Sequence, residues 1–321
     1  MLVRSPHNPI LTRDDIPNLG IHLRDVSSVF NPGAVKVGDD YHLMLRVQNR
    51  GRETYLMMAD SPDGVDFSVR DEIVCFKGFE SISENIYHVY DPRITQIGEV
   101  FYIMFAMDMK NGCHLGLSRS TDLKSFDFMG VVSDRENRNG VLFPEKINGR
   151  YLRLDRPNKN HSNGVTSGDT IYLSESDDLL QWRQKTEVMS GCWHYWDEHI
   201  GSGPPPIKTN EGWLLIYHGI ATHFASANIY QAGVVLLDLE DPAQIMHRSK
   251  YNILEPREHY ELLGQVPNVV FPTGIIVEEN DENRNAAMES AVKIYYGAAD
   301  SCVCLAETTI STLIGMAKNE L

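Results

Sequence analysis

Cysteine is sparse in this chain: Cys75, Cys113, Cys192, Cys302 and Cys304 are scattered, odd in number and form no Cys-x-x-Cys pair. Neither a zinc site nor a disulfide framework is therefore expected, and reduced thiols in a cytoplasmic protein are. Long apolar runs are missing as well. No stretch approaches the roughly 18 apolar residues of a spanning helix, and Met1-Leu2-Val3-Arg4-Ser5-Pro6 lacks the apolar centre of a secretory leader, so no membrane partner is expected. Positive charge is in deficit, with 29 Lys and Arg against 44 Asp and Glu and a formal charge of −15. A surface of that sign argues against nucleic acid and anionic lipid as partners, and a local cluster of arginines stands out against it as an anion pocket. Helical periodicity is absent until Ser311-Thr312-Leu313-Ile314-Gly315-Met316-Ala317-Lys318, which reads as a short C-terminal helix.

What the chain does have is a repeat. After a polar, turn-rich arm over residues 1–28, a Pro-bearing start leads into an apolar strand, a turn and an aromatic-rich strand, five times over. The starts are Phe30-Asn31-Pro32-Gly33, Tyr90-Asp91-Pro92-Arg93, Leu142-Phe143-Pro144-Glu145, Gly203-Pro204-Pro205-Pro206 and Phe271-Pro272-Thr273-Gly274. A Ser-x-Asp turn closes the second and third copies, at Ser120-Thr121-Asp122 and Ser176-Asp177-Asp178, and Ser61-Pro62-Asp63 is a close variant. Copies of about 50–70 residues, each readable as up to four short strands, are the signature of a propeller. The expectation is an all-β, single-domain, five-bladed β-propeller with an N-terminal arm and a short C-terminal helix. A sandwich or a two-domain β protein is the alternative, because strands alone do not fix closure.

Blade starts in a propeller line the axial funnel, so the polar residues there and on adjoining strands are the candidate site. They are Asn31, Arg46, Arg50 and Arg52 in the first copy, Asp91 and Arg93 in the second, Arg138, Asn139, Glu145, Asp155 and Arg156 around the third, His199, His218 and Tyr230 in the fourth, and Asp300 in the fifth. Any one arginine is more often a surface ion pair, His218 alone a satisfied core histidine, and Tyr230 alone sheet packing. Together, Arg, Arg, His and Tyr are what a phosphate dianion requires, through charge-assisted hydrogen bonds. Carboxylates are fewer. Asp91 alone precedes the Pro of a blade start, while Asn31 stands at the matching place in the first copy and an amide cannot act as a base. Glu145 is the candidate second acid, although it follows its Pro and strand alternation turns it elsewhere. Glycoside hydrolysis usually takes two carboxyl groups. One acid beside a cationic pocket fits attack by phosphate better, since the dianion is already a nucleophile.

Other motifs weigh less. Gly201-Ser202-Gly203-Pro204 is no dinucleotide loop, because its prolines forbid the helix that must follow. His194 and His199 match no zinc spacing. Asn160-His161-Ser162 is a glycosylation sequon, of no consequence without secretion. Trp193, Tyr195 and Trp196 form either a sugar-stacking wall or core packing.

At these residues the sequence resembles glycoside hydrolase family 130, the five-bladed β-mannoside phosphorylases and related mannosidases. The resemblance runs from Asn8-Pro9-Ile10 to the last copy and is carried by the first four starts quoted above, with Tyr217-His218-Gly219 and Tyr296-Gly297-Ala298-Ala299-Asp300. It implies inverting attack of inorganic phosphate on a β-mannoside, releasing α-mannose 1-phosphate, with no cofactor and no metal. It implies Asp91 as proton donor, relayed through the mannose 3-hydroxyl. Arg138, Asn139, Arg156, His218 and Tyr230 would hold phosphate, and Asn31, Arg46, Arg52 and Asp300 the mannose. The hydrolytic members are expected to lack part of the phosphate set, all of which is present here. His199 departs from the lysine expected at its position, and is assigned to the sugar or phosphate. The chain length resembles members acting on β-1,4-mannooligosaccharides or mannosyl-N-acetylglucosamine. An inverting β-mannosidase and a non-catalytic glycan-binding propeller are the alternatives, and a homo-oligomer whose neighbouring subunit shapes acceptor choice is allowed for.

Overall fold

The computed structural model describes residues 2–134, 136–161, 164–223 and 227–321, which leaves Ser162 of the sequon outside the described residues. Among the described residues, five sheets of four or five strands are arranged as a five-bladed β-propeller. Val3–Arg4 is strand β1. The first blade is β2 (Ser28–Val37), β3 (Asp40–Gln48), β4 (Thr54–Ser61) and β5 (Ser68–Ile73). The second is β7 (Ile86–Ile97), β8 (Val100–Met109), β9 (Gly112–Ser120) and β10 (Phe126–Val131), edged by the short β6 (Phe76–Lys77). The third is β11 (Asn137–Leu142), β12 (Tyr151–Pro157), β15 (Thr170–Ser176) and β16 (Arg183–Ser190), with a hairpin of β13 (Lys159–His161) and β14 (Gly164–Thr166) inserted. The fourth is β17 (His199–Ser202) and β18 (Ile207–Thr209), both on β19 (Gly212–Ala221), then β20 (Ile229–Leu237) and β21 (Ile245–Arg248). The fifth is β22 (Val270–Val277), β23 (Ala291–Ala298) and β24 (Cys302–Thr309), completed by β1. Two helices complete the named elements, α1 (His259–Leu262) and α2 (Ile310–Lys318). Thr309 caps the second by accepting from the Thr312 N–H, and Asn319 ends it in the left-handed region.

The five larger clusters of apolar side chains each lie between neighbouring blades. Successive residues of a strand point to opposite faces, so Tyr295 of β23 packs toward the first blade while Ile294 and Tyr296 pack toward the fourth. Phe101, Ile103 and Phe105 of β8 likewise face the first blade, and Met104 the third. Both faces of a blade are buried, which is why its middle strands read as nearly continuous apolar runs. The Ser-x-Asp turns repeat in detail. Ser61, Ser120 and Ser176 each accept two backbone N–H groups through Oγ and donate to Asp63, Asp122 and Asp178, whose Oδ1 atoms accept two more.

The arm has a further part in the fold. Val3 and Arg4 pair antiparallel with Glu307 and Ala306, so the start of the chain supplies the outer strand of the last blade. The third and fourth blade starts also differ from the expected ones. The inner strand of the third blade begins at Asn137, and that of the fourth at His199. Pro144, Pro205 and Pro206 instead line a shallow groove with Lys36 and Thr95, apart from the funnel cavity. Glu145 goes with them: it binds Lys208 Nζ at 2.7 Å and is absent from the funnel wall, so it is no second acid.

Candidate active site

Three inner strands make the same local departure. Register shifts at Phe30/Gly33, Tyr90/Arg93 and Arg138/Val141 mark bulges in β2, β7 and β11. Within each, one residue takes a left-handed backbone: Asn31 with φ 47°, Asp91 with φ 54° and Asn139 with φ 54°. Asn and Asp enter that region more readily than other side-chain-bearing residues, and the bulge re-aims the side chain. Asn31, Asp91 and Asn139 all line one cavity of about 500 Å³. Beside them the buried Arg93 ties the blades together. It donates to the carbonyls of Gly203 at 2.7 Å, Ser202 at 3.2 Å and Asp91 at 3.0 Å, and to Asn139 Oδ1 at 3.2 Å. With its donors directed at protein oxygens, Arg93 is structural rather than a ligand for substrate.

Asp91 is buried, and its Oδ1 accepts from Asn31 Nδ2 and Arg46 Nη1, each at 2.9 Å. Burial alone would raise its pKa, but the Arg46 and Arg93 guanidiniums, with the hydrogen bonds from Asn31 and Arg46, outweigh that and lower it. Arg46 is held in turn between the rings of Phe30 and Tyr90, 4.4 and 4.7 Å from its guanidinium carbon. Asp300, also left-handed with φ 50°, lies on the same wall. Burial raises its carboxyl to about 6, against the pull of Arg46 and with a further push from Asp91. Arg52 lines the cavity from the β3–β4 turn, exposed to solvent and with φ 67°.

The other wall is cationic. Arg156 is 4 % exposed and Arg138 is half-exposed. Among the described residues, neither Nε has a hydrogen-bond partner although both atoms are buried. Arg156 is lowered to about 10, first by burial and then by the charge of Arg138. Arg138 is shifted the other way: burial lowers it, but Tyr90, Cys113, Asp108 and Glu136 together raise it. His218, between Phe271 at 4.5 Å and Tyr230 at 6.3 Å, is fully buried, and burial followed by Arg156 and Arg93 lowers its pKa well below the usual value. It is therefore a neutral imidazole, and its Nδ1 has no hydrogen-bond partner among the described residues. Unpaired buried N–H donors on two adjacent arginines suit an oxyanion of high charge.

Of the residues singled out from the sequence, Asn31, Arg46, Arg52, Asp91, Arg138, Asn139, Arg156, His218, Tyr230 and Asp300 all line this cavity. His199 does not; it heads β17 with Ile220 as its pairing partner. Arg50 binds Asp25 at the surface, and Asp155 is consumed by Arg153 and Ser174 outside the cavity. Trp196 packs on Tyr217, whereas Trp193 is largely exposed, so the expected aromatic wall is divided. The wall also holds Gln48, His88, Tyr90, Asp108 and Ser167, none of them picked out as site residues from the sequence. Asp108, the next-to-last residue of β8, pairs with His88 of the strand that carries Asp91.

The family model described as beta-1,4-mannooligosaccharide phosphorylase, of glycoside hydrolase family 130, matches residues 2–319. A beta-1,4-mannooligosaccharide phosphorylase of Ruminococcus albus is 30% identical over 318 residues, 97% of this chain and 89% of that protein. A 1,2-beta-oligomannan phosphorylase of a Thermoanaerobacter species is 33% identical over 291 residues, 87% of this chain and 89% of that one. Among solved structures, the beta-1,2-mannobiose phosphorylase of Listeria innocua in complex with beta-1,2-mannobiose superposes with a TM-score of 0.85 at 26% identity, covering 99% of each chain. With the propeller and its cavity in place, these likenesses make the chain a member of glycoside hydrolase family 130.

Proposed function

We propose that this protein cleaves β-mannosides with inorganic phosphate, inverting the anomeric centre and releasing α-mannose 1-phosphate. The observation that carries the reading is the pairing, in one cavity, of a carboxylate fixed by Asn31 and Arg46 with a wall of two arginines whose buried Nε atoms lack partners. Phosphate sits against Arg138, Arg156, Asn139, the neutral His218 and Tyr230. Mannose lies over Asn31, Arg46, Arg52 and Asp300, with Asp91 beneath its 3-hydroxyl.

In the reaction a phosphate oxygen forms the bond to the anomeric carbon as the bond to the glycosidic oxygen breaks. The electron pair goes to that oxygen, which takes the proton of the mannose 3-hydroxyl while Asp91 re-supplies it. The proton that Asp91 gives up comes from dihydrogenphosphate, which hands it to Asp91 as it binds and attacks as the dianion, so Asp91 ends ionised as in the free protein and no external acid or base is consumed. Asp91 is held ionised in the free protein, and the sequence-based role of proton donor requires a change on binding. The incoming phosphate charge provides it, because a like charge nearby favours the protonated carboxyl.

The substrate we assign is a β-1,4-linked mannooligosaccharide or mannosyl-N-acetylglucosamine. Support comes from the description of the matching family model and from the relative covered over 97% of this chain. The test is turnover of β-1,4- and β-1,2-mannobiose with and without phosphate, reading mannose 1-phosphate and mannose separately. Mannose 1-phosphate from the β-1,4 substrate, only with phosphate, is expected. Free mannose without phosphate overturns phosphorolysis, and a preference for the β-1,2 substrate overturns the linkage. Asp91→Asn should lower kcat by about 10²–10⁴-fold, with mannoside binding by calorimetry retained.

A further inference from the structure

Two arginines converge on the anion wall, where their like charges repel. The charge of Arg138 is one of the causes lowering Arg156. Something must hold two adjacent guanidiniums in position without occupying the donors that phosphate needs. Two carboxylates flank Arg138: Asp108, whose Oδ1 lies 3.8 Å from Nη2, and Glu136, which is also linked through Asn158 to Arg156. Glu136, at 9 % side-chain exposure, sits with Oε1 3.9 Å from Arg138 Nε, near enough for charge attraction and too far for a hydrogen bond. The same Oε1 accepts from Asn158 Nδ2 at 2.7 Å, and Asn158 Oδ1 accepts from Arg156 Nη1 at 2.6 Å. Its other oxygen, Oε2, accepts the backbone N–H of Cys113 at 2.5 Å.

We infer that Glu136 and Asn158 form a relay that sets the spacing and aim of the two phosphate-binding arginines, making them the positioning residues for phosphate capture. The inference rests on the phosphorolytic reading of the same cavity. Glu136 touches neither the mannose side nor Asp91. Its negative charge offsets the repulsion between the guanidiniums before phosphate arrives, while both Nε atoms stay unpartnered. Strand geometry makes the relay natural: Arg156 and Asn158 are two residues apart, so they project from the same side of the chain as it leaves β12. The backbone is shaped for it as well. Gly112 has φ 123°, and a Cβ there would come within 2.3 Å of Glu136 Oε2, so only a glycine at the start of β9 lets the carboxylate reach Cys113.

Tests keep phosphate and sugar apart. Glu136→Gln preserves shape but removes the charge and one acceptor. It should raise the phosphate KM at least 10-fold, leave the mannoside KM within about 2-fold, and keep most of kcat at saturating phosphate. Asn158→Ala, at a half-buried position that tolerates truncation, should raise the phosphate KM by a smaller factor through Arg156 alone. Binding of inorganic phosphate measured directly by calorimetry should weaken in the same order, and Glu136→Asp should recover part of the loss. If Glu136→Gln does not fold, Asn158→Ala decides. An unchanged phosphate KM in the folded variants, or equal loss toward phosphate and mannoside, overturns the relay while phosphate-dependent turnover by the wild type keeps the parent reading. A wild type that turns over without phosphate overturns both.

Discussion

Asp91 and Asp300 face one cavity and share Arg46 as a charged neighbour, yet their titrations are driven apart. Asp91 is lowered by two arginines and two hydrogen bonds, whereas Asp300 is raised to about 6 by burial. An unfolded Asp titrates near 3.9, so the folded protein holds the Asp300 proton more tightly between about pH 4 and 6. Stability then falls as pH rises through that window and stays lower above it. Asp300→Asn removes the slope. At pH 7 the variant should be more stable than the wild type by about 2 kcal/mol, and the difference should close by pH 4. Asparagine also keeps the left-handed backbone that φ 50° demands. The same change should raise the mannoside KM by about 10-fold or more, since a charged acceptor is lost. Urea unfolding at the two pH values, beside mannoside kinetics, reads both effects; equal stabilities at pH 7 would remove Asp300 as a strained acid. Asp91 was legible in the sequence from its place before a blade-start Pro. The raised titration of Asp300 was not, because it arises from burial against strands far away in the chain.

The bulged inner strands are the elements that make the site, and they show why the blade starts were only partly legible. Proline marks the copies in the sequence, and it marks the site where it follows the bulged residue, at Asn31-Pro32 and Asp91-Pro92. In the third blade the bulge is Asn139-Gly140, and the proline at 144 belongs to the turn beyond. What the geometry needs is a residue tolerant of positive φ, and Asn-Gly supplies that as well as Asn-Pro does. Missing it left Glu145 as a candidate acid on the strength of a proline. The inner strand of the fourth blade contributes by what it omits. A Cβ on Gly201 in β17 would lie 2.5 Å from both Asn139 Nδ2 and His218 Cε1, two groups of the cavity wall that would have to shift to admit it. Gly201→Ala should therefore displace two phosphate-side groups at once. The phosphate KM should rise by about 10-fold or more and stability should fall by about 1–3 kcal/mol, with the mannoside KM little changed. Phosphate titrations of the purified variant check this, and an unaltered phosphate KM would show that β17 does not shape the anion wall.

A ring of blades is only as stable as its closure, because each blade buries its faces against its neighbours and no sheet stands alone. The closing strand here is two residues long, and most of its hold comes from side chains. Arg4 donates from Nε to Glu261 Oε1 at 2.8 Å, and from Nη2 to Glu261 Oε2 at 2.9 Å and the Glu255 carbonyl at 2.6 Å. Glu261 is fully buried in α1, where Tyr296 Oη donates to it at 2.8 Å and the backbone N–H groups of Arg257 and Glu258 at 2.8 and 3.0 Å. Asn8 extends the clasp by exchanging two 2.8 Å hydrogen bonds with the backbone of Leu305, much as a strand residue would. Removing one partner of a buried pair leaves the other charge uncompensated, which costs about 3–5 kcal/mol. Arg4→Ala should accordingly lower the melting temperature by on the order of 5 °C or more, while kcat and both KM values well below the transition stay as they were, since no funnel residue is touched. Arg4→Met combined with Glu261→Gln removes both charges and should cost less than the two single changes added together. Calorimetric melting of the four variants, Arg4→Ala, Arg4→Met, Glu261→Gln and the double, checks the set. Additive losses, or an Arg4→Ala protein that melts with the wild type, would mean that the blades close through their apolar faces alone.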